Sequence, residues 1–221
     1  MRAFDPSFPR HRALFDLVAP GLPPGELAHD RWHLERVYRW AVRLAPEAGA
    51  DADLCGAAAL VHDLVPIPKD HADRPFGGER SAQAAGPVLA AAGYADSELE
   101  VVVEAVRTSS WSRRLAPAGP VGVVLQDADR LDAIGAVGIA RCFACAQHMS
   151  RPDSPGRFYD PDDPVAAADR PLDDRLQAAD HFRAKLLELA SGMHLPSARS
   201  EAARRHAAMQ AFLGELDAEL R

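Results

Sequence analysis

Apolar residues recur along this chain at the three- and four-residue spacing of helices, and alternating β-branched runs are scarce. From about residue 26 to 44, for example, His33, Val37 and Leu44 share one face of a helix. Alanine-rich, aromatic-poor stretches favour helices elsewhere as well, and only the short run from Val121 to Leu125 has the composition of a strand. The sequence therefore predicts an all-α fold.

Prolines, glycines and aspartates mark where the predicted helices begin and end. A second helix is expected to begin after Asp51 and to be stopped by Pro66, with His62 and Asp63 in its last turn. Further helices are expected at about residues 79–92, 96–108, 121–149, 172–189 and 197–220. The predicted loops are about 66–78, directly after the His62-Asp63 pair, and about 151–171. Because helical patterning resumes after the second loop, one domain over residues 1–221 is expected.

Charge, cysteine content and hydropathy exclude several classes of protein. The net charge of −7 argues against a protein that grips nucleic-acid polymers. Three cysteines are too few for a secreted disulfide framework, so a reducing compartment, the cytoplasm, is expected. No apolar run approaches the roughly 18 residues of a membrane span, and the first residues do not resemble a signal peptide.

Histidine and aspartate occur side by side at His29-Asp30 and at His62-Asp63. His62 follows the apolar run Ala57–Val61, and a buried His-Asp pair is costly unless each member has a partner or a cation. Imidazole and carboxylate groups are ligands for divalent ions. His33 and Asp129 lie on other predicted helices and are candidates to complete the shell. A buried pair without a metal is the alternative interpretation.

The order His33, His62-Asp63, Asp129 resembles the H…HD…D signature of the HD-domain metal-dependent phosphohydrolases. Further motifs, from about Leu27 to the C-terminus, resemble a small bacterial subgroup similar to nucleoside triphosphate pyrophosphohydrolases. These motifs are Ala28-His29-Asp30, Gln126–Leu131, Gly138–Arg141, Arg170–Asp174 and Asp180–Phe182.

The resemblance implies an all-helical HD domain in which about residues 27–150 form the metal-binding core and 151–221 complete the bundle. By the same likeness, His33, His62, Asp63 and Asp129 are the metal ligands, and Asp63 also belongs to the catalytic machinery. One divalent ion is expected, and Mn, Fe, Ni, Co and Mg all suit such a shell. The implied reaction converts a (deoxy)nucleoside triphosphate to a monophosphate and pyrophosphate, with water activated by the metal.

The sequence suggests supporting roles for five more residues. His71 lies nine residues after His62, as a catalytic histidine does in related triphosphohydrolases, and is the candidate general acid. Lys69 and Arg80 flank the same loop and are candidates to bind phosphate groups. Asp30 and Asp132 are expected to orient metal ligands through hydrogen bonds.

Two departures from the resemblance keep other functions open. Pro66 stands where phosphatases of this superfamily that act on nucleoside monophosphates often have glutamate, which disfavours that subtype. Ser109 stands where many relatives have histidine. The alternatives are a phosphodiesterase or phosphomonoesterase acting on another small phosphate compound, or a nucleotide-binding regulatory protein without turnover. The expected partner is a small phosphate compound, with no membrane and no nucleic-acid polymer, and monomer and homodimer are both left open.

Overall fold

The computed structural model describes residues 4–68 and 71–221, and its regular structure is helical. The helices are α1 (Pro9–Val18), α2 (Arg31–Leu44), α3 (Ala52–Val61), α4 (Gly77–Ala91), α5 (Asp96–Arg107), α6 (Gly119–Asp132), α7 (Gly135–Met149), α8 (Leu187–Leu189) and α9 (Pro196–Glu219). Short 3₁₀ turns lie at Ala19–Gly21, Arg74–Phe76, Trp111–Arg113 and Ala190–Gly192. Across the described ranges, β pairing is limited to isolated bridges, so the all-α prediction is confirmed. None of the helices described has both the length and the apolar character needed to cross a membrane.

Aspartate caps set the starts of the two helices that carry the first site residues. Asp30 accepts a hydrogen bond from the backbone N–H of His33 at 2.9 Å, so α2 begins at Arg31 and not at residue 26. Asp51 accepts from the backbone N–H of Asp53 at 2.8 Å, and α3 begins directly after it, as expected.

The helix predicted over 121–149 is wrong as a single element. α6 ends at Asp132 and α7 begins at Gly135, whose φ of +78° cannot continue a right-handed helix. The stretch Val121–Leu125, whose composition also suits a strand, lies inside α6. Local apolar spacing continues through this break, so periodicity alone does not show it.

The helix predicted over 172–189 is also mostly wrong, because helical structure begins only with a π-helical turn at Phe182–Leu186. The backbone of Leu176 and Ala178 is instead hydrogen-bonded to Arg157, at 2.7 and 2.9 Å. The buried carboxylate of Asp180 accepts from the Arg170 guanidinium at 2.7 and 2.8 Å. These bonds hold the segment in a loop built of successive turns.

The chain divides into two compact units, and the division falls within α6. The first unit holds the described residues up to Gly25 together with His29–Asp129, and the second holds Glu26–Ala28 and Arg130–Arg221. In the first unit, α3 is the central helix and packs against α1, α2, α4 and α5. In the second unit, α7 packs against α9 beside a cluster of phenylalanine rings at positions 143, 158, 182 and 212. The single domain expected from the sequence stays a prediction.

A buried polar network fastens α1, a helix that the sequence did not predict, to α2 and α3. The ring of His11 is fully buried; its Nδ1 accepts from the Tyr38 hydroxyl and its Nε2 donates to Asp53, each at 2.9 Å. Burial lowers the pKa of His11, although Asp53 opposes the shift. Gly56 on α3 leaves the space that the His11 and Tyr38 rings occupy. The network therefore fixes the packing of the two helices that carry His33 and His62.

Candidate metal centre

One end of each of three helices, α2, α3 and α6, lies at the site. His33 lies in the first turn of α2 and is fully buried. α3 ends at Val61, so His62 is its C-cap residue and Asp63 follows directly. Asp129 lies near the end of α6. Because all of α3 from Cys55 to Val61 is buried, its C-terminal end presents His62 inside the protein rather than at the surface.

The four side chains converge on one point. The Nε2 atoms of His33 and His62 are 3.3 Å apart. The Asp63 carboxylate lies 3.6 Å from His33 Nε2 and 3.5 Å from His62 Nε2. The Asp129 carboxylate lies 3.9 and 3.7 Å from the same two atoms. The structure thus brings together all four residues that the sequence suggested as ligands.

The spacing and chemistry of these groups fit a divalent metal ion. Ligand atoms that share one ion at about 2.0–2.2 Å lie roughly 3–4 Å from one another. The nitrogen and oxygen atoms of His33, His62 and Asp129 lie within 4.8 Å of one another, with Asp63 close to both rings. Two imidazoles and two carboxylates form the mixed N/O shell that such ions accept. The cluster can therefore hold a divalent metal ion.

A hydrogen bond fixes which nitrogen of His62 faces the cluster. His62 Nδ1 donates to the carbonyl oxygen of Ala59 at 2.8 Å, one turn earlier in α3. In the neutral ring, Nε2 is then unprotonated and its lone pair points toward His33. Metal-bound histidines are held in this way by a partner on the other nitrogen.

The electrostatics of the site favour an ionised Asp63. Burial raises the pKa of Asp63, but the charge of His62, a hydrogen bond with His33 and the charges of His29 and Arg74 hold it well below its usual range. The two carboxylates keep some access to solvent, since 27% of the Asp63 side chain and 35% of the Asp129 side chain is exposed. The histidine side of the cluster is buried and the carboxylate side is open.

The remaining predicted site residues occupy varied positions. Asp30 caps α2 through the backbone of His33. Asp132, almost fully buried, belongs to the second unit, where it pairs with Arg141 at 2.8 Å. His71 is exposed, and its Nδ1 accepts from the backbone N–H of Asp73 at 3.0 Å. The Arg80 side chain is 54% exposed and lies 3.9 Å from Asp73. Lys69 falls outside the described residues.

Two residues near the centre were not among the candidates from the sequence. The His29 ring meets the His33 ring edge-on at 5.7 Å, and Arg74 acts on Asp63 through its charge. His29 belongs to the other His-Asp dipeptide, which was a signal that pointed to it. Arg74 lies within the loop predicted at about 66–78, but no local pattern distinguishes it from the other arginines of this chain.

Ser109, which stands where many relatives have histidine, has a packing role. Its hydroxyl donates to the carbonyl oxygen of Val106 at 2.8 Å. Gly78, at the start of α4, packs so closely that a Cβ there would lie 2.9 Å from Ser109 Oγ. The small pair allows α4 to approach the end of α5.

Comparison with known proteins agrees with this geometry. The model of the HD domain family matches residues 32–134. YpgQ of Bacillus subtilis (strain 168) is 32% identical over 196 residues, which cover 87% of this chain and 84% of YpgQ. A crystal structure of YpgQ in complex with ADP has a TM-score of 0.69 at 28% identity and covers 95% of this chain and 97% of that one.

Two further crystal structures are similar over most of their length. A protein of Lactobacillus plantarum has a TM-score of 0.74 at 31% identity, with 95% of this chain and 96% of that chain covered. An HD-superfamily hydrolase of Bacillus thuringiensis has a TM-score of 0.64 at 26% identity, with 95% and 97% covered. By the match to the HD domain model and the similarity to these proteins, the chain belongs to the HD-domain superfamily.

Proposed function

We propose that this protein is a divalent-metal-dependent phosphohydrolase of nucleotides. The reaction we infer converts a (deoxy)nucleoside triphosphate and water to a nucleoside monophosphate and pyrophosphate. The observation that carries the proposal is the convergence of His33, His62, Asp63 and Asp129 with an open carboxylate side. The ADP complex of YpgQ supports a nucleotide as the ligand class.

The roles of the chain's own residues follow from their positions. A bound divalent ion would supply a Lewis acid for a phosphate oxygen and lower the pKa of water. His62 offers an unprotonated Nε2 because its proton lies on Nδ1, which donates to the carbonyl oxygen of Ala59, and buried His33 faces Nε2. Asp63 and Asp129 supply negative charge that balances the ion, and their exposed edges leave room for a phosphate group.

Hydrolysis at the α-phosphorus forms one P–O bond to water and breaks the P–O bond to the β-phosphate. The departure of pyrophosphate is helped when a donor stabilises the negative charge that develops on its leaving oxygen, and we assign this role to His71. Because His71 Nδ1 accepts a hydrogen bond from the backbone N–H of Asp73, the neutral ring carries its proton on Nε2, which can donate a hydrogen bond to that oxygen. Full proton transfer to the leaving oxygen would require the imidazolium form of His71.

The decisive experiment measures both the metal content of the protein and the products that it releases. Wild-type protein and the variant Asp63→Ala are loaded with Mn²⁺, desalted and measured by mass spectrometry, then tested for pyrophosphate release from a panel of nucleoside triphosphates. We expect about one metal per chain and pyrophosphate release in the wild type, and loss of both in the variant. Glu104→Ala, which removes an exposed acid that pairs with Arg107 one turn later in α5, is the matched control and is expected to behave as the wild type.

Other outcomes point to the other functions. Release of inorganic phosphate in place of pyrophosphate would indicate a phosphomonoesterase, and turnover of diester substrates alone would indicate a phosphodiesterase. Metal and ADP binding without any turnover would indicate a regulatory protein. A wild-type protein that binds no metal would overturn the proposal.

A further inference from the structure

A nucleotide at this centre needs more positive charge than the metal supplies. The two carboxylates of Asp63 and Asp129 already balance a divalent ion, and both histidines are neutral when they bind it. The phosphate groups of a nucleotide add further negative charge to a chain whose net charge is −7. This inference rests on the proposed function, because a cation is required only where a phosphate compound binds.

Arg74 is a cation of the segment that follows the pair His62-Asp63. Its Nη1 donates to the carbonyl oxygen of Ile67, four residues after Asp63, at 3.0 Å. By contrast, the guanidinium of Arg80 is more than half exposed and faces Asp73.

The Arg74 guanidinium uses only one of its nitrogen atoms, Nη1, in hydrogen bonds to described residues. Among the described residues, Ile67 is the only acceptor bonded to the Arg74 side chain. Nε and Nη2 therefore have no acceptor among those residues. The residue is half-buried, which leaves those donors open to solvent. An arginine fork matches two phosphate oxygens at once, and this geometry distinguishes it from a lysine.

The turn that carries Arg74 is anchored on several sides. The hydroxyl of Ser110 donates to the carbonyl oxygen of Pro75 at 3.0 Å, and the guanidinium of Arg113 lies 5.4 Å from the centre of the Phe76 ring. The loop that contains these two residues is held in turn by Gln126, whose amide donates to the carbonyl oxygens of Thr108 and Leu115 at 2.7 and 3.2 Å. Gln126 lies one helical turn before Asp129 on α6. Arg74 is therefore held in place by elements that also hold a metal ligand.

We propose that Arg74 is a phosphate-binding residue of this site and contacts the phosphate groups of the nucleotide through Nε and Nη2 of its guanidinium.

The test uses the metal-loaded full chain and three variants. We expect Arg74→Gln to raise KM for nucleoside triphosphate about tenfold or more, because a charge-assisted pair is lost. We expect kcat to change less than KM, and the metal content to stay at the wild-type value. Arg74→Lys keeps the charge but not the fork, and is expected to recover part of the loss. Arg107→Gln removes an exposed arginine of α5 and is expected to leave KM within about twofold of the wild type.

Calorimetric binding of ADP to the metal-loaded protein separates this inference from the proposed function. Wild-type protein that binds ADP without turnover would contradict the function, while about tenfold weaker ADP binding by Arg74→Gln would still support the role of Arg74. Arg74→Gln with unchanged KM and unchanged ADP affinity would overturn the inference. Loss of metal from that variant would also overturn it, since Arg74 would then act on the metal shell. Wild-type protein with neither turnover nor ADP binding would overturn both.

Discussion

At the scale of single residues, short hydrogen bonds to the backbone orient the metal ligands. His62 is held by the carbonyl oxygen of Ala59, and the position of His33 depends on the cap that Asp30 places on α2. Such supporting partners are as much a part of a metal site as the ligands themselves. The sequence suggested Asp30 for a supporting role, and the structure shows the backbone contact through which that role would operate.

The two aspartate caps offer a matched pair of variants at this scale. Asp30→Ala and Asp51→Ala each remove one cap bond, so each is expected to lower the free energy of unfolding by about 1 kcal/mol in urea titrations. Only Asp30 caps the turn that contains a ligand. We therefore expect Asp30→Ala to weaken Mn²⁺ affinity about tenfold and Asp51→Ala to leave it unchanged. Equal metal affinity in the two variants would contradict a role of Asp30 in positioning His33.

The candidate metal ligands could be predicted from the sequence, but the proposed phosphate-binding cation could not. His62 and Asp63 are adjacent after an apolar run, and imidazole and carboxylate groups are recognisable as metal-binding groups from the sequence. Arg74 differs from Arg80 only in what surrounds it: one donates to Ile67 near Asp63, and the other faces Asp73 at the surface. A positive charge acts through space, so the separation of two residues along the chain does not show which arginine lies near the metal centre.

At the scale of helices, close packing of α3 decides where the site lies. The helix contains four alanines and one glycine, Gly56, and it is buried from Cys55 to Val61. Small side chains allow neighbouring helices to approach, and Gly56 makes room for the His11 and Tyr38 rings. The polar network of α1 and the metal ligands therefore share the α2–α3 pair as their support.

Two glycines in helix interiors test this packing. A Cβ at Gly56 would lie 2.5 Å from His11 Cε1 and 2.8 Å from Tyr38 Cε2, whereas a Cβ at Gly86 in α4 would meet no atom within 4 Å. We expect Gly56→Ala to lower the free energy of unfolding by about 1–3 kcal/mol through overpacking. Gly86→Ala is expected to raise it by up to about 1 kcal/mol, because alanine is the better helix former. Chemical denaturation measures both, and a stabilising Gly56→Ala would show that α3 is not tightly packed.

Predictions of helices succeeded where local signals decide and failed where distant contacts do. The spans of α4 and α5 agree with apolar spacing and with the Gly93 break to within a few residues. The segment before Phe182 is not helical, because Arg157 pairs with its backbone and Arg170 binds Asp180. Bonds between residues far apart in sequence override a weak helical pattern.

At the scale of the whole molecule, the proposed metal site would link metal binding to folding. The ligands come from α2, from the end of α3 and from α6, so an ion would tie together elements that are distant along the chain. A ligand that binds only the folded state stabilises it in proportion to the logarithm of its concentration. At a metal concentration about 100 times Kd, this contribution is about 2.7 kcal/mol.

Removal of the metal therefore has a measurable effect on thermal stability. We expect chelation to lower the melting temperature of the wild-type protein by about 5 °C or more, and readdition of Mn²⁺ to restore it. The melting temperature of Asp63→Ala is expected to respond to neither treatment. An unchanged melting temperature of the wild-type protein on chelation, measured by calorimetry, would contradict metal binding at this centre.

The helical class, most helix positions and the candidate ligand side chains could be predicted from the amino-acid sequence, because they depend on interactions within a few residues or on the chemistry of the residue type. The break between α6 and α7, the docking of α1 through His11 and the position of Arg74 became visible only in the folded chain. These features depend on which groups meet in space, and the carbonyl oxygen of Ile67 accepts a hydrogen bond from Arg74 only after the chain has folded.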